Sequence, residues 1–176
     1  MNAIRRDDDS DNIHSIFVDQ WDWEKVITKE QRTIEYLKET VKAVVKAIAF
    51  TKRKVGLRYP DIAEDFCDEP YFITTQELEN LYPDKEPKER ERLITKEHKV
   101  VFLMAIGGKL ESGEKHGGRA PDYDDWSLNG DILIWNSVLD DALEISSMGI
   151  RVDAETLKAQ LAECGEEERM KYQYHQ

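Results

Sequence analysis

Apolar residues recur at helical spacing through Ile34, Leu37, Val41, Val44, Val45, Ile48 and Val55. Steps of three, four and seven place them on one face of an α-helix, so the pattern predicts an amphipathic helix of roughly six or seven turns. It should stop near residues 56–60, where glycine and proline appear. Thr28 and Gln31 have the spacing of a capping box ahead of it, and Thr74 and Glu77 repeat that spacing ahead of a short helix that Pro83 ends. Residues 86–97 read as another helix. The run KVVFLMAIGG, residues 99–108, is apolar almost throughout and predicts a central strand buried on both faces, with a turn at its two glycines. The stretch SGEKHGGRAPDYDDWSLNG reads as a loop. Residues 131–135 (DILIW) and 142–147 (ALEISS) read as two strands of a hairpin, and Asp153 caps a last helix carrying Leu157 and Leu161 and ending at Gly165. The charged tail from Glu166 continues the helical pattern. Helices mixed with hairpins in this order predict an α+β domain whose antiparallel sheet is flanked by helices, a single domain over residues 1–176.

The N-terminal stretch is less ordinary. Residues 13–18 are mostly apolar and favour a strand, and VDQWDWE follows at residues 18–24. On a continued strand Val18, Gln20, Asp22 and Glu24 share one face and Asp19, Trp21 and Trp23 the other. The tryptophans would bury one face. The other is either a solvated acidic edge or a polar floor for a cation or an ammonium group.

Composition narrows the partners. The chain of 176 residues is 40% hydrophobic and 35% charged, the profile of a soluble globular domain. No run of 18 apolar residues exists, so no membrane partner is expected, and the polar acidic N-terminus has no secretory pattern. The net charge of −12 and the lack of a long basic run argue against nucleic acid, whose phosphates need a basic face. Cys67 and Cys164 form no C-x-x-C pair, which fits free thiols in a reducing cytoplasm, and His14, His98, His116 and His175 have no zinc spacing.

Several residues carry candidate chemistry. If Trp135 pairs with Ala142, Leu133 faces Glu144 and Asp131 faces Ser146. Asp131 and Glu144 then become diagonal neighbours on one face, roughly 7–8 Å apart. Such a pair calls for a positive charge, either Mg²⁺ with substrate phosphate or a lysine or arginine from elsewhere. In EISSMGIR, small residues separate Glu144 from Arg151, whose planar fork suits a carboxylate or phosphate but also any of 37 acids. APDYDDW carries three aspartates, as an acidic surface loop or a site for an amine. Arg5 by itself indicates nothing, but together with His14 at the start of the strand it could grip phosphate.

The segments MNAIR, IHSIFVDQWDWE, GGKL, RAPDYDDW, LNGDILIWN and LEISSMGIRVDAETLKAQL occur in this order. Together they closely resemble the ammonia-dependent asparagine synthetases, the aspartate–ammonia ligases, over essentially the whole chain. The resemblance implies a catalytic core like that of class II aspartyl- and asparaginyl-tRNA synthetases. It implies that aspartate, ATP and ammonia give asparagine, AMP and pyrophosphate through a β-aspartyl adenylate, with Mg²⁺ as cofactor. By position, Arg5 holds the α-phosphate and the reacting carboxylate, Asp7 lies near the adenine amino group and His14 touches the outer phosphates. Val18 stands where synthetases stack an aromatic on adenine. Gln20 and Asp22 form the face that receives aspartate, Asp22 pairing its ammonium. Asp124 adds an acid at the substrate or ammonia end and is the candidate base. Asp131 and Glu144 match the Mg²⁺-ATP carboxylates, Ser146 and Ser147 line the floor, and Arg151 grips the carboxylate that does not react. Against the family pattern, the chain lacks an N-terminal dimer-forming segment with a basic K-W-K-R-type stretch and a C-terminal glycine-rich motif, and the loop after Trp126 is short. The complete family enzyme is expected to be a homodimer. The alternatives are an inactive fragment or ligand-binding remnant of that fold, and an aminoacyl-tRNA synthetase paralogue.

Overall fold

The computed structural model describes residues 2–7, 9–11, 13–62 and 66–172. The end of the charged tail, residues 173–176, lies outside them. The chain divides into two compact units, Met1–Gln31 and Arg32–Gln176.

In the first unit, β1 (Asn2–Ile4) pairs antiparallel with β2 (Phe17–Asp19), with Ala3 opposite Val18. The Arg5 amide extends the ribbon by donating to the Ile16 carbonyl at 2.7 Å. The long strand expected through residue 24 is not formed. Among the described residues β2 pairs with β1 over three positions, from Phe17 to Asp19. Trp21 and Trp23, expected to bury a face, are exposed, Trp21 to 97%. The spacing of Thr28 and Gln31 does produce a local contact, Thr28 N–H to Gln31 Oε1 at 2.9 Å, but it opens only a short 3-10 helix at Lys29–Gln31.

The second unit opens with α1 (Ile34–Arg58), capped by Thr33, whose hydroxyl accepts from the Tyr36 amide. β3 (Tyr71–Thr74) leads into α2 (Thr75–Leu81), and here both halves of the Thr74–Glu77 capping box are made. After α3 (Pro87–His98) come β4 (Val100–Met104), β5 (Asp124–Asn136) and β6 (Asp141–Arg151). Finally α4 (Ala154–Cys164) starts on an Asp153 cap and stops at Gly165, whose φ of 70° is left-handed.

These strands form one sheet in the order β3-β4-β5-β6. β4 and β5, and β5 and β6, run antiparallel, whereas β3 and β4 run parallel. The sheet is therefore mixed, which corrects the fully antiparallel expectation. α2 and α3 carry the chain back across the sheet between β3 and β4, and such a crossover returns the next strand parallel. The fold is α+β.

β4 is apolar throughout because both of its faces are covered. Val100, Phe102 and Met104 pack with Ile132 against Leu37, Val41 and Val45 of α1. Val101 and Leu103 pack with Ile73 and Leu133 against Leu78 of α2 and Ile94 of α3. Burying a side chain of this size contributes about 1.5–3 kcal/mol, so this three-layer packing is the main term holding the second unit together. It also fixes which residues of β5 and β6 reach the α3 side.

Candidate functional site

The β5–β6 pairing positions the candidate residues of the second unit. Trp135 lies opposite Ala142, the condition supposed above, and Leu133 opposite Glu144. A β-bulge then follows, so Ile132 faces Ser146 and Asp131 faces Ser147 instead of Ser146. One extra residue on one strand shifts every later partner by one. The shift decides which of the two serines lies beside Asp131. Ser146 shares its side of β6 with Met148 and Ile150, which pack in the α1 cluster, and strand neighbours point to opposite faces. Ser147 therefore lies on the α3 side with Asp131, and Ser146 on the α1 side.

On that side Asp131 is tightly held. The Ser147 hydroxyl donates to its Oδ1 at 2.6 Å. Arg119 donates from Nη2 to the same oxygen and from Nη1 to the Ser147 hydroxyl. Crowding by protein atoms raises the Glu144 carboxyl above the ordinary range, and the negative charge of Asp131 raises it further, against the opposing charges of Lys88 and Arg119. Lys88 of α3 donates to Glu91 at 2.8 Å, and Glu91 meets buried His116 Nε2 at 3.0 Å.

Glu91 yields a pH prediction. Burial pushes its carboxyl up, but the hydrogen bonds with His116 and Lys88 more than offset this and hold it below the ordinary range. Its stabilising contribution is therefore present above the unfolded value of about 4.3 and is lost as pH falls through the lower folded value. Glu91→Gln is expected to cost about 2 kcal/mol at pH 7, by loss of hydrogen bonds to a charged group. The gap between variant and parent should be full above the unfolded value of about 4.3 and close as pH falls through the lower folded value. Urea midpoints measured across this range check it; a gap independent of pH contradicts it.

Nearer the start of β5, Asp124 and Arg151 lie opposite one another. Arg151 Nη1 donates to Asp124 Oδ1 at 2.5 Å and Nη2 donates to the Tyr123 hydroxyl at 2.5 Å. Its guanidinium sits 3.5 Å from the centre of the Tyr123 ring. Gly149 makes room for this pair, since a Cβ there would come within 2.7 Å of Asp124 Cγ. Asp125 points elsewhere, to Arg32 Nη2 at 2.6 Å and the Ser127 amide at 2.8 Å. Buried Gln160 of α4 ties the segment down, accepting from the Trp126 amide and donating to the Pro121 and Asp124 carbonyls.

The remaining candidates lie in the first unit. Arg5 is one residue past β1, and Asp7 pairs with Arg6 at 3.0 Å. His14 Nδ1 lies 2.9 Å from both Asp11 carboxylate oxygens. Val18 is central in β2, Gln20 is half-buried just past it, and Asp22 is exposed. Of the residues in the second unit, the structure brings Asp131, Glu144 and Ser147 together, and separately Asp124 and Arg151.

The sequence reading missed Arg119, Arg32 and Gln160. Arg119 lies inside RAPDYDDW, and its signal is a guanidinium two residues before a proline, ahead of three aspartates. Nothing along the chain pairs Arg32 or Gln160 with their partners. Among the described residues no group of three or more histidines, cysteines, aspartates and glutamates could hold a metal by itself. Asp131 and Glu144 supply two carboxylates on one face, and Glu144 is pushed toward protonation by burial and then by the charge of Asp131. That donor set fits Mg²⁺, which takes one or two carboxylates and completes its shell with water and phosphate oxygens. Among the described residues no helix is long and apolar enough to cross a membrane.

These features define an α+β protein whose mixed sheet presents paired carboxylates and guanidinium groups on one face. Comparison with known proteins carries the assignment further. The family described as aspartate-ammonia ligase matches residues 1–176. The chain is 58% identical over 176 residues to the aspartate–ammonia ligase of Lactiplantibacillus plantarum, covering 100% of this chain and 55% of that protein. It is 59% identical over 175 residues to that of Clostridium tetani, covering 99% of this chain and 51% of that protein. The chain belongs to the aspartate-ammonia ligase family, as its motifs implied. It spans about half the length of the curated relatives it matches.

Proposed function

We propose that this chain carries active-site residues of an AMP-forming aspartate–ammonia ligase, serving asparagine biosynthesis in the cytoplasm, on a core like that of class II aminoacyl-tRNA synthetases. The observation that carries the reading is the pair Asp131 and Glu144 on one sheet face, with Ser147 on Asp131, in a chain matching the family along its length.

In the first step a β-carboxylate oxygen of aspartate attacks the α-phosphorus of ATP, and the bond to pyrophosphate breaks. Two anions must meet, so fixed positive charge where charge builds up is the main catalytic need. Arg5 supplies a guanidinium for the α-phosphate and the reacting carboxylate. Asp131 and Glu144 would hold Mg²⁺, which when bound neutralises phosphate charge. His14 and Asp7 serve the outer phosphates and the adenine amino group, and Val18 packs beside the base. Gln20 and Asp22 receive aspartate, Asp22 through its ammonium. Ser147 keeps Asp131 oriented.

In the second step ammonia attacks the acyl carbon of the adenylate and AMP leaves. Ammonium cannot attack until it loses a proton, and Asp124 is the proposed acceptor. Arg151 already grips a carboxylate, that of Asp124, and the same fork is suited to the substrate carboxylate that does not react. The −12 charge supports small-molecule substrates over nucleic acid, and family membership supports a homodimer for the complete enzyme.

Release of AMP by the purified chain, assayed with aspartate, ATP, Mg²⁺ and ammonium, tests this. Release that needs all of them supports the reading. Binding of aspartate or ATP without AMP points to a binding remnant, and release dependent on tRNA points to a synthetase paralogue; either result overturns it.

A further inference from the structure

We infer that Arg119 is the internal counter-ion of the metal carboxylates, holding Asp131 until a nucleotide-bound divalent cation takes its place and then giving its guanidinium to the nucleotide phosphates. The inference rests on the metal assignment of Asp131 and Glu144 proposed above.

Three other cations of the second unit each have an acid outside the proposed metal pair. Lys88 is held by Glu91, Arg151 by Asp124 and Arg32 by Asp125. Among the hydrogen-bonded ion pairs of the described residues, Arg119 is the cation seated on Asp131. It is joined there by the Ser147 hydroxyl, so Oδ1 of the carboxylate receives two donors at once. Arg119 Nε is buried without a hydrogen-bond partner. A guanidinium with a buried unmet donor keeps capacity for an anionic acceptor.

The charges then dictate the exchange. A divalent cation and a guanidinium repel when they share one carboxylate, and the ion with the larger charge and phosphate oxygens to complete its shell displaces the other. The displaced guanidinium has a planar fork matched to phosphate. Arg119 follows Gly117 and Gly118, so its backbone can move without a side-chain barrier. Arg119 thus opposes the free metal and favours the metal–nucleotide complex, which keeps the site from loading with a cation before ATP arrives.

The sign reversal is the test. Mn²⁺ binding to the chain is read by electron paramagnetic resonance of the free ion, without and with ATP, in the parent, Arg119→Gln, Arg119→Lys and Asp131→Asn. Arg119→Gln is expected to bind Mn²⁺ alone roughly tenfold more tightly, because a repelling charge is gone, and to bind ATP in the presence of Mn²⁺ roughly tenfold more weakly. Arg119→Lys keeps the charge and serves if the glutamine variant fails to fold. It should match the parent for Mn²⁺ alone yet lose affinity for ATP. Unchanged or weaker Mn²⁺ binding in Arg119→Gln, or parental ATP affinity in Arg119→Lys, overturns the exchange. If Asp131→Asn retains Mn²⁺–ATP binding, the metal assignment itself fails and the exchange with it. If that variant loses binding while Arg119 variants behave as the parent, the exchange alone is wrong.

Discussion

Gly130→Ala is expected to destabilise the second unit by about 3 kcal/mol or more, the upper end for overpacking. Gly130 lies in β5 opposite Met104 on one side and Met148 on the other. A Cβ there would stand 2.4 Å from the Leu103 carbonyl oxygen and 2.7 Å from Phe102 Cζ. Neither obstacle can yield cheaply. The oxygen is backbone within the central strand, and Phe102 is fully buried beneath α1. Relief therefore requires β4 and β5 to part. Asp131 is the next residue, so the disturbance should reach the site as well as the core. Denaturant unfolding followed by circular dichroism measures the loss, and a midpoint equal to that of the parent would show that the close approach is absent.

Arg5→Ala is expected to slow AMP formation in the complete enzyme by about 2–4 kcal/mol of transition-state stabilisation, the range for removing one preorganised donor to developing negative charge. That is roughly 30- to 1000-fold in rate. Arg5 is exposed, and its amide bond to the Ile16 carbonyl survives the substitution because it belongs to the backbone. Gly130→Ala acts first on folding and through it on the site, whereas Arg5→Ala is aimed at the chemistry. Single-turnover AMP release by Arg5→Ala at the parental rate would remove Arg5 from the reaction.

Much of the second unit was legible along the chain. The helical stripe from Ile34, the Thr74–Glu77 box, the Asp153 cap and the stop at Gly165 all act within a few residues of themselves, and each appears where its pattern stands. The hairpin itself was legible, and the pairing of Trp135 with Ala142 is one of the few registers its short turn leaves open. Elsewhere local pattern misled. β5 begins at Asp124, inside a stretch that reads as a polar loop. Asp124, Asp125 and Asn129 are nevertheless buried there, because Arg151, Arg32 and the backbone of Ile106 satisfy them. Buried polar side chains are tolerated when they are paired, and their partners are distant in sequence. β3 escaped notice because four residues carry little periodicity, and its parallel pairing follows from the crossover instead of from its own composition.

Family, helix positions, caps and the identity of the candidate acids were set by local residue order, since each depends on neighbours within a turn or on long matching strings. Which acid meets which cation was settled only by the folded chain. Arg119 reaches Asp131 across 12 residues, Arg151 reaches Asp124 across 27 and Arg32 reaches Asp125 across 93. A bulge between Ile132 and Leu133 put Ser147, and not Ser146, beside Asp131. A chain with 37 acids and 25 basic side chains offers many pairings of equal local merit. Only the packing of α1 and α3 on opposite sheet faces, and the register it enforces, selects among them.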